Sequence, residues 1–468
     1  MPGFFAYFVL AAYVPLSALA FLLMRPAKAA MLVVLVGILF LPGLVAFDAP
    51  LIPPLGKHEV ATVCALVGML AFSPRQWRRA RLGRGGDAFM LLMIPAIVLT
   101  VFNNRDTLTF GPLVVPGYTM HDLLALLVRF FFEVAVPYLV GRLVVTSNRD
   151  ARTLVRTFVG LGLVYSLFML FEMRMSPNLH RWIYGYHFHS DFSQTVRWGG
   201  YRPTVFLAHG LTVGLFALAA ALFAATEGRI TKRRLGLPTR WSTLYLVTIL
   251  VLCRSTGAII MGLVTLPVVA LASPRRQIRV AVLLAAVCVA YPVVKLAGVF
   301  PKQAIREFTR DHLSPERADS LQFRFDNDKR LIDRALDRLW LGWGEFGRNR
   351  IYDDTGRDTV VTDGYWIIVL SGGGLLRLAC SFGLLLYPVM RASRVMKRLR
   401  EPGDRFLLAG LAIVVACHVF DLLPNGLGNP LVLFLAGALA RLNLELSRPE
   451  MTDPQGVAGS ETAFPSLA

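Results

Sequence analysis

Residues 301–363 read PKQAIREFTRDHLSPERADSLQFRFDNDKRLIDRALDRLWLGWGEFGRNRIYDDTGRDTVVTD, and this stretch decides how the rest of the chain is understood. It holds twelve Lys/Arg and thirteen Asp/Glu, dense in charge yet close to neutral, in a chain that is otherwise one apolar run after another. Connections in compact folds are mostly short, so a solvated segment of this length between hydrophobic runs points to function. The side of a membrane it faces, and the residues that meet it there, set the reading of the whole protein.

Working outward, 55% hydrophobic residues and a mean hydropathy of +0.56 over 468 residues exclude a soluble globular chain. A helix rises about 1.5 Å per residue, so a hydrocarbon core of ~30 Å needs about 20 apolar residues. Such runs recur, each bounded by charged clusters: Phe4–Met24, Ala29–Phe47, His58–Phe72, Ala88–Phe102, His121–Gly141, Leu154–Met173 and Thr204–Thr226 before the middle of the chain. Ile278–Gly298, Gly364–Met390, Phe406–Asp421 and Leu431–Leu446 follow. The expectation is an all-α polytopic integral membrane protein. Its parts are a first helix bundle (1–298), a large extracytoplasmic loop with amphipathic helices (299–363), a second bundle (364–446) and a disordered cytoplasmic tail (447–468).

Trp241–Ala272 is ambiguous, because one helix of that length would reach about 48 Å. Charge arbitrates. Lys and Arg accumulate in cytoplasmic loops, and placing Arg25, Arg75, Arg142 and Arg233 there fixes every earlier loop. Arg275, Arg276, Arg279 and the run Arg391 to Arg405 share that side only if Trp241–Ala272 crosses twice, as a shallow hairpin with Arg254 near the outer face. That makes 12–13 transmembrane helices and puts residues 301–363 outside.

The formal charge of +19 is spread over short loops and forms no basic domain with interleaved aromatics, so nucleic acid is excluded as a partner. Cys64, Cys253, Cys288, Cys380 and Cys417 lie in apolar runs without disulfide or metal spacing. Met1 to Phe8 lacks a basic n-region, so no cleavable leader is expected. His180, His187, His189 and Asp191 match no strong zinc spacing, and Trp182, Tyr184 and Tyr186 around them read as an interfacial belt or a sugar-stacking surface. Gly342, Gly344 and Gly347 formally fit a dinucleotide pattern but follow no βαβ unit.

Three pieces occur in a recognisable order. The first is Arg197-Trp198-Gly199-Gly200-Tyr201-Arg202-Pro203 with His209-Gly210-Leu211, and the second is Cys253-Arg254-Ser255-Thr256-Gly257-Ala258. The third is an amphipathic helix (Leu331, Ala335, Leu336, Leu339), then Leu341-Gly342-Trp343-Gly344-Glu345-Phe346, then Thr362-Asp363-Gly364-Tyr365-Trp366 and Ser371-Gly372-Gly373-Gly374-Leu375-Leu376. From Arg197 to Met390 the chain resembles the O-antigen ligase/polymerase family. Asp363 stands where many ligases have a His, so it looks more like the exopolysaccharide polymerase branch. The resemblance implies a GT-C-like architecture in the bacterial inner (plasma) membrane, with the loop periplasmic and the C-terminus cytoplasmic. It also implies metal-independent, inverting glycosyl transfer without a cofactor. The donor would be an undecaprenyl-pyrophosphate-linked oligosaccharide and the acceptor a hydroxyl of another lipid-linked repeat unit, with a co-polymerase and a flippase as possible partners besides membrane lipids. A ligase acting on lipid A core or protein is the alternative acceptor. A lipid-linked glycan transporter without chemistry is the alternative class; it expects midplane sites in repeated halves, and no repeat is visible.

The chemistry stands on the residues as well. A diphosphate leaving group gains charge as the glycosidic bond breaks, and fixed guanidinium forks stabilise it where water is scarce. Arg254 and Arg202 are the candidates for that task, with Arg197 beside them; the bland alternatives are a snorkelling hairpin tip and loop capping. Asp363 is the candidate base for an attacking hydroxyl, or an N-cap. Arg324, His209, Tyr365 and Arg348 are the candidate pyrophosphate- or glycan-binding residues, and Arg350 flanks the same glycine-rich turn; the bland alternative for Arg324 is a solvated helix face with Asp326 and Asp328 as partners. The charge pattern makes one direct prediction. In cells expressing Thr355→Cys or Arg275→Cys, a membrane-impermeant maleimide should label only the first before the membrane is permeabilised.

Overall fold

The computed structural model describes residues 2–49, 52–80, 83–187, 192–234, 237–312, 315–426 and 428–447. His189, Asp191 and nearly all of the expected tail lie outside them. The chain is α-helical: α1 Phe4–Leu23, α2 Pro26–Phe40, α3 Lys57–Phe72, α4 Pro74–Arg79, α5 Asp87–Phe102, α6 Met120–Phe130, a π-helical turn Phe131–Ala135, α7 Val136–Val144, α8 Asn148–Met175 and α9 Leu179–Tyr184. There follow α10 Gly210–Ile230, α11 Thr239–Leu252, α12 Thr256–Leu271, α13 Pro274–Leu296, α14 Lys302–His312, α15 Pro315–Asp337, α16 Tyr365–Met396, α17 Pro402–Asp421 and α18 Pro430–Leu446. Strands among the described residues form only short antiparallel hairpins in the connections, such as 108–110 with 113–115.

Seven helices, counting Met120–Val144 as one, are long and apolar enough to cross a membrane, and α2, α5, α11 and α12 are apolar but shorter. These are eleven of the 12–13 expected spans; the four shorter helices would reach only about 21–24 Å. Large apolar side chains cover the outside, Phe4, Leu22, Leu23, Leu263 and Leu271 among the most exposed. This is an all-α, multi-pass membrane protein.

At its centre stands α10, where Ala217, Ala219, Ala220, Ala221, Ala224 and Ala225 are buried on every side. A helix apolar all round belongs in the interior, and small residues let neighbours approach closely. A methyl on Gly162 of α8 would come within 2.7 Å of Ala220, and one on Gly214 within 2.4 Å of Ser255. Gly141 on α7 and Gly437 on α18 each face the other helix's backbone, where a Cβ would sit 2.0 and 2.1 Å from a carbonyl oxygen.

The ambiguous segment is a hairpin. Thr239 packs at Gly228, Arg229 Nη1 donates to the Ala270 carbonyl at 2.5 Å, and the Ser255 tip packs at Gly214. Both helices thus lie along α10 and the chain reverses at Cys253–Ser255. Among the boundaries that differ from expectation, two bear on the candidate site. The span expected from Thr204 begins at Gly210, because residues 202–209 form an irregular loop and His209 is the N-cap. Asp363 is not a cap: the N-cap of α16 is Gly364, with no capping side chain.

The long polar segment is fastened to the bundle. Lys295 at the end of α13 donates to Asp328 of α15 at 2.9 Å, with its ammonium 4.3 Å from the Phe300 ring and 4.6 Å from that of Phe325. Leu331 and Ala335 are fully buried, while Leu336 of the expected apolar face is 47% exposed. After α15 the chain does not stay at the surface. Leu339–Gly344 runs alongside α16 at Ser371–Leu376, where the helix is broken by Gly374 (φ 67°, ψ −169°). The N–H groups of Trp343 and Gly344 donate to the carbonyls of Ser371 and Gly372, both at 2.8 Å, and those of Leu375 and Leu376 donate back to Leu339 and Trp340. A Cβ on Gly342 would lie 2.5 Å from the Gly372 carbonyl carbon, and one on Gly374 2.3 Å from that of Trp340.

Both glycines also have positive φ, which costs an L-residue about 1–2 kcal/mol before any collision. Gly342→Ala and Gly374→Ala should each lower the thermal midpoint of the purified protein by the equivalent of about 2 kcal/mol or more. Gly257→Ala, with open space around its Cβ, should leave the midpoint unchanged or raise it.

Candidate functional site

Two polar regions lie at the end of the bundle where the long segment docks. The first is carried by the loop between α9 and α10 and by the α11–α12 tip. Glu172, fully buried at the end of α8, organises that loop: Oε1 accepts from Leu179 N–H at 3.0 Å, and Oε2 from Thr204 and Val205 N–H at 2.9 and 2.7 Å. The geometry leaves Val205 and Trp198 at positive φ, and Arg254 at the facing tip is also left-handed (φ 53°). Backbone strain of this kind in non-glycine residues concentrates at functional sites.

On this frame the arginines meet. Arg254 Nη1 donates to the carbonyls of Arg197 and Trp198 at 2.7 and 3.0 Å. Arg202, 3% exposed, donates from Nη2 to Ser255 Oγ at 3.2 Å, and its Nε has no hydrogen-bond partner among the described residues. Burial pushes the Arg202 guanidinium down to about 10, with Arg197 adding to the effect and Asp421 opposing it. His209 joins the group: Leu211 N–H donates to its Nδ1 at 3.0 Å, which leaves the ring proton on Nε2 facing Gln194 Oε1 at 3.1 Å.

Asp363 stands just before α16, with one carboxylate oxygen 3.2 Å from Arg324 Nε. Arg324 therefore pairs with Asp363 rather than with Asp326 or Asp328; Asp328 is taken by Lys295. The Asp421–Pro430 turn links this residue to the arginines. Asp421 faces Arg202 electrostatically, Tyr365 N–H donates to the Leu422 carbonyl at 2.9 Å, and a Cβ on Gly426 would sit 3.1 Å from the Asp363 carbonyl oxygen.

The second region is a cavity of about 630 Å³ on the other side of that turn. Its polar lining includes Glu59 from α3, Arg129 and Glu133 from α6 and the π-helical turn, Glu345 from the docked loop, and Tyr365 and Arg377 from α16. Glu345 is the hub. Arg377 Nη1 lies 2.6 Å from Oε1, Arg129 Nη1 lies 2.9 Å from Oε2, and Arg129 Nε also binds Glu133 at 2.8 Å. Burial works against the Glu345 carboxylate, but Arg377 and Arg129 outweigh it and hold its pKa below the usual range. A π-helical turn beside Arg129 is a further mark of a functional place.

Of the expected site residues, Arg197, Arg202, Arg254 and His209 come together. Asp363, paired with Arg324, adjoins them through the turn, and Tyr365 lines the cavity. Arg348 is different. Its side chain is 1% exposed and is spent on the Asp106 and Pro116 carbonyls, at 2.8 Å each, and on the Asp106 carboxylate at 3.1 Å. It ties the docked loop to the α5–α6 connection, so it cannot turn toward a ligand. Arg350 lines the cavity and lies 3.5 Å from Asp358. His180 is buried, bonded to the Gly43 N–H and the Tyr186 carbonyl. No metal-ligating group of three forms among the described residues.

Sequence reasoning missed Arg129, Glu133, Glu345 and Arg377. The signal was present, since Arg129, Glu133 and Arg377 are charges inside apolar runs, which are functional candidates by default.

The fold and the polar end define the class: a multi-pass helical membrane protein with two groups of ionisable side chains at the end where the long segment docks. No protein-family model matches the chain, and no curated protein matches it in sequence.

The pH behaviour of the hub follows from its sign. A carboxylate with a depressed folded pKa stabilises the fold above its unfolded value, about 4.3, and loses that contribution as pH falls through the folded value. The difference in thermal midpoint between wild type and Glu345→Gln should therefore be widest above about pH 5 and close toward pH 3. A pH-independent difference would remove the carboxylate from the network.

Proposed function

We propose that the protein is a membrane glycosyltransferase that polymerises lipid-linked glycans at the outer face of the bacterial inner membrane. The observation that carries this reading is the meeting of Arg197 and Arg202 from the α9–α10 loop with Arg254 from the α11–α12 tip, where the buried Arg202 guanidinium has a carboxylate neighbour but an unfilled donor. A buried charge with an unspent hydrogen bond is costly unless something binds there. A diphosphate is suited to it, because planar guanidinium groups bind two of its oxygens at once.

In this mechanism the polyprenyl-diphosphate donor lies with its diphosphate against Arg202 and Arg254, with Arg197 at the rim. The acceptor hydroxyl of a second lipid-linked repeat unit attacks the anomeric carbon from the opposite face. The new C–O bond forms as the bond to the diphosphate breaks, and the electron pair leaves with the diphosphate, whose growing charge the arginines stabilise. The hydroxyl proton passes to the Asp363 carboxylate, which Arg324 beside it orients. Inversion at the anomeric carbon follows from the single displacement. The adjoining cavity, with carboxylates and guanidinium groups already paired to each other, suits a hydroxyl-rich sugar chain better than a second diphosphate.

Arg202→Ala or Arg254→Ala should reduce polymer formation by about a hundredfold or more, the scale of losing a charge-stabilising donor. Lipid-linked single repeat units should accumulate while the protein remains in the membrane, and Arg202→Lys should restore little. Polymer of normal amount and length in both alanine variants would exclude the assignment.

A further inference from the structure

At the end of the bundle opposite the polar segment, a separate pocket of about 190 Å³ opens between the end of α16 and the end of α18, lined by Tyr387, Arg391, Arg394, Val395, Arg398 and Ser447. Arg391 and Arg394 lie one turn apart on α16, and Arg398 lies in the turn just after the helix, so all three line the same opening. Arg391 is half-buried and donates from Nη1 to the Tyr387 hydroxyl at 3.3 Å; Arg394 and Arg398 are exposed. None of the three has an ion-pair partner among the described residues. Nearby carboxylates are spent elsewhere: Asp87 on Arg142 at 2.8 Å, and Glu445 on Arg441 at 2.7 Å. The wall itself is well fixed, with Asn443 of α18 donating to the Pro388 carbonyl at 2.7 Å. The last carbonyls of α16 repel an anion, so attraction here comes from the side chains alone.

We propose that this pocket binds the phosphate of an anionic phospholipid headgroup. Three unpaired guanidinium forks converging on a small cleft match a phosphate diester, and the cleft is too small for an oligosaccharide. Position selects the lipid over a dissolved anion. Beyond its break at Gly374, α16 runs on from Leu375 to Met396, about 33 Å, enough by itself to cross a ~30 Å hydrocarbon core. Its last turns therefore project into the headgroup layer, where basic pockets between transmembrane helices collect anionic lipids. Tyr387, at the inner edge of the cleft, has the amphipathic ring that suits that boundary.

The experiment uses the full chain, purified in a neutral detergent, with dioleoylphosphatidylglycerol, dioleoylphosphatidylcholine or inorganic phosphate added. Thermal midpoints and lipid adducts in native mass spectra are measured. Wild type should gain stability and retain phosphatidylglycerol but not phosphatidylcholine. The triple variant Arg391→Gln, Arg394→Gln, Arg398→Gln should bind phosphatidylglycerol about tenfold or more weakly. Arg275→Gln, Arg276→Gln, Arg279→Gln, an equal charge change at the start of α13, should bind it like the wild type. Equal retention by the pocket variant, loss in the α13 variant as well, equal effects of the two lipids, or no effect of phosphatidylglycerol on the wild type would each overturn the assignment. Stabilisation by inorganic phosphate alone, lost in the pocket variant, would overturn the lipid and leave a soluble anion as the ligand.

Discussion

The structure depends on one backbone-to-backbone contact, the docking of Leu339–Gly344 against the break in α16. Inside an apolar bundle every N–H and C=O must find a partner. A helix interrupted at Gly374 releases carbonyls and amides that cannot satisfy each other within α16. The incoming loop supplies what is missing, giving two N–H groups and accepting two in return. Neither side survives alone: the broken helix needs the loop, and the loop could not descend beside α16 without it. Glycine is required because the two backbones approach so closely that a single methyl on Gly342 or Gly374 would overlap a main-chain carbonyl.

That contact places charge where the bundle would otherwise exclude it. Glu345 follows the docked glycines directly and is carried to Arg377, just beyond the helix break, and to Arg129. Burying one carboxylate against two guanidinium groups is tolerable because the ion pairs and hydrogen bonds are close and mutual; each charge alone would be costly there. Thr100 and Asn104 hold the same loop from the α5 side, donating to the carbonyls of Leu341 and Gly342. Arg338 and Arg348 bind Asp106 in the connection that follows, and Asp106 is held below its usual pKa chiefly by its hydrogen bond from Arg338. The long polar segment is thus built into the helical body at several points.

The two polar regions at this end differ in electrostatic character, and the difference suits different tasks. In the cavity the charges are paired before any ligand arrives. In the arginine group, Arg202 is buried with a spare donor, and Arg254 hydrogen-bonds through one nitrogen to main-chain carbonyls of the strained loop. Glu172 supports this second arrangement from below, its carboxylate spent on three backbone amides that fix where Arg202 begins. One region is a pre-neutralised vessel and the other a cationic clamp, with the 421–430 turn between them.

By itself the sequence determined that the chain is a helical membrane protein, that residues 241–272 turn back at Arg254, and that residues 301–363 stand apart. Hydrophobic run length, charge at run boundaries and the cost of burying unpaired backbone act locally, so they leave a local signature. The glycine clusters at 342–344 and 372–374 were visible too, as were the separate arginine-bearing pieces. Only the tertiary structure decided that those glycine clusters embrace, that Arg324 turns to Asp363, and that Arg348 is consumed in holding Asp106. It alone brought Glu345, Arg129 and Arg377 into one network. These facts rest on contacts between residues up to hundreds of positions apart, and side-chain type records what a residue can pair with but not which partner the fold delivers.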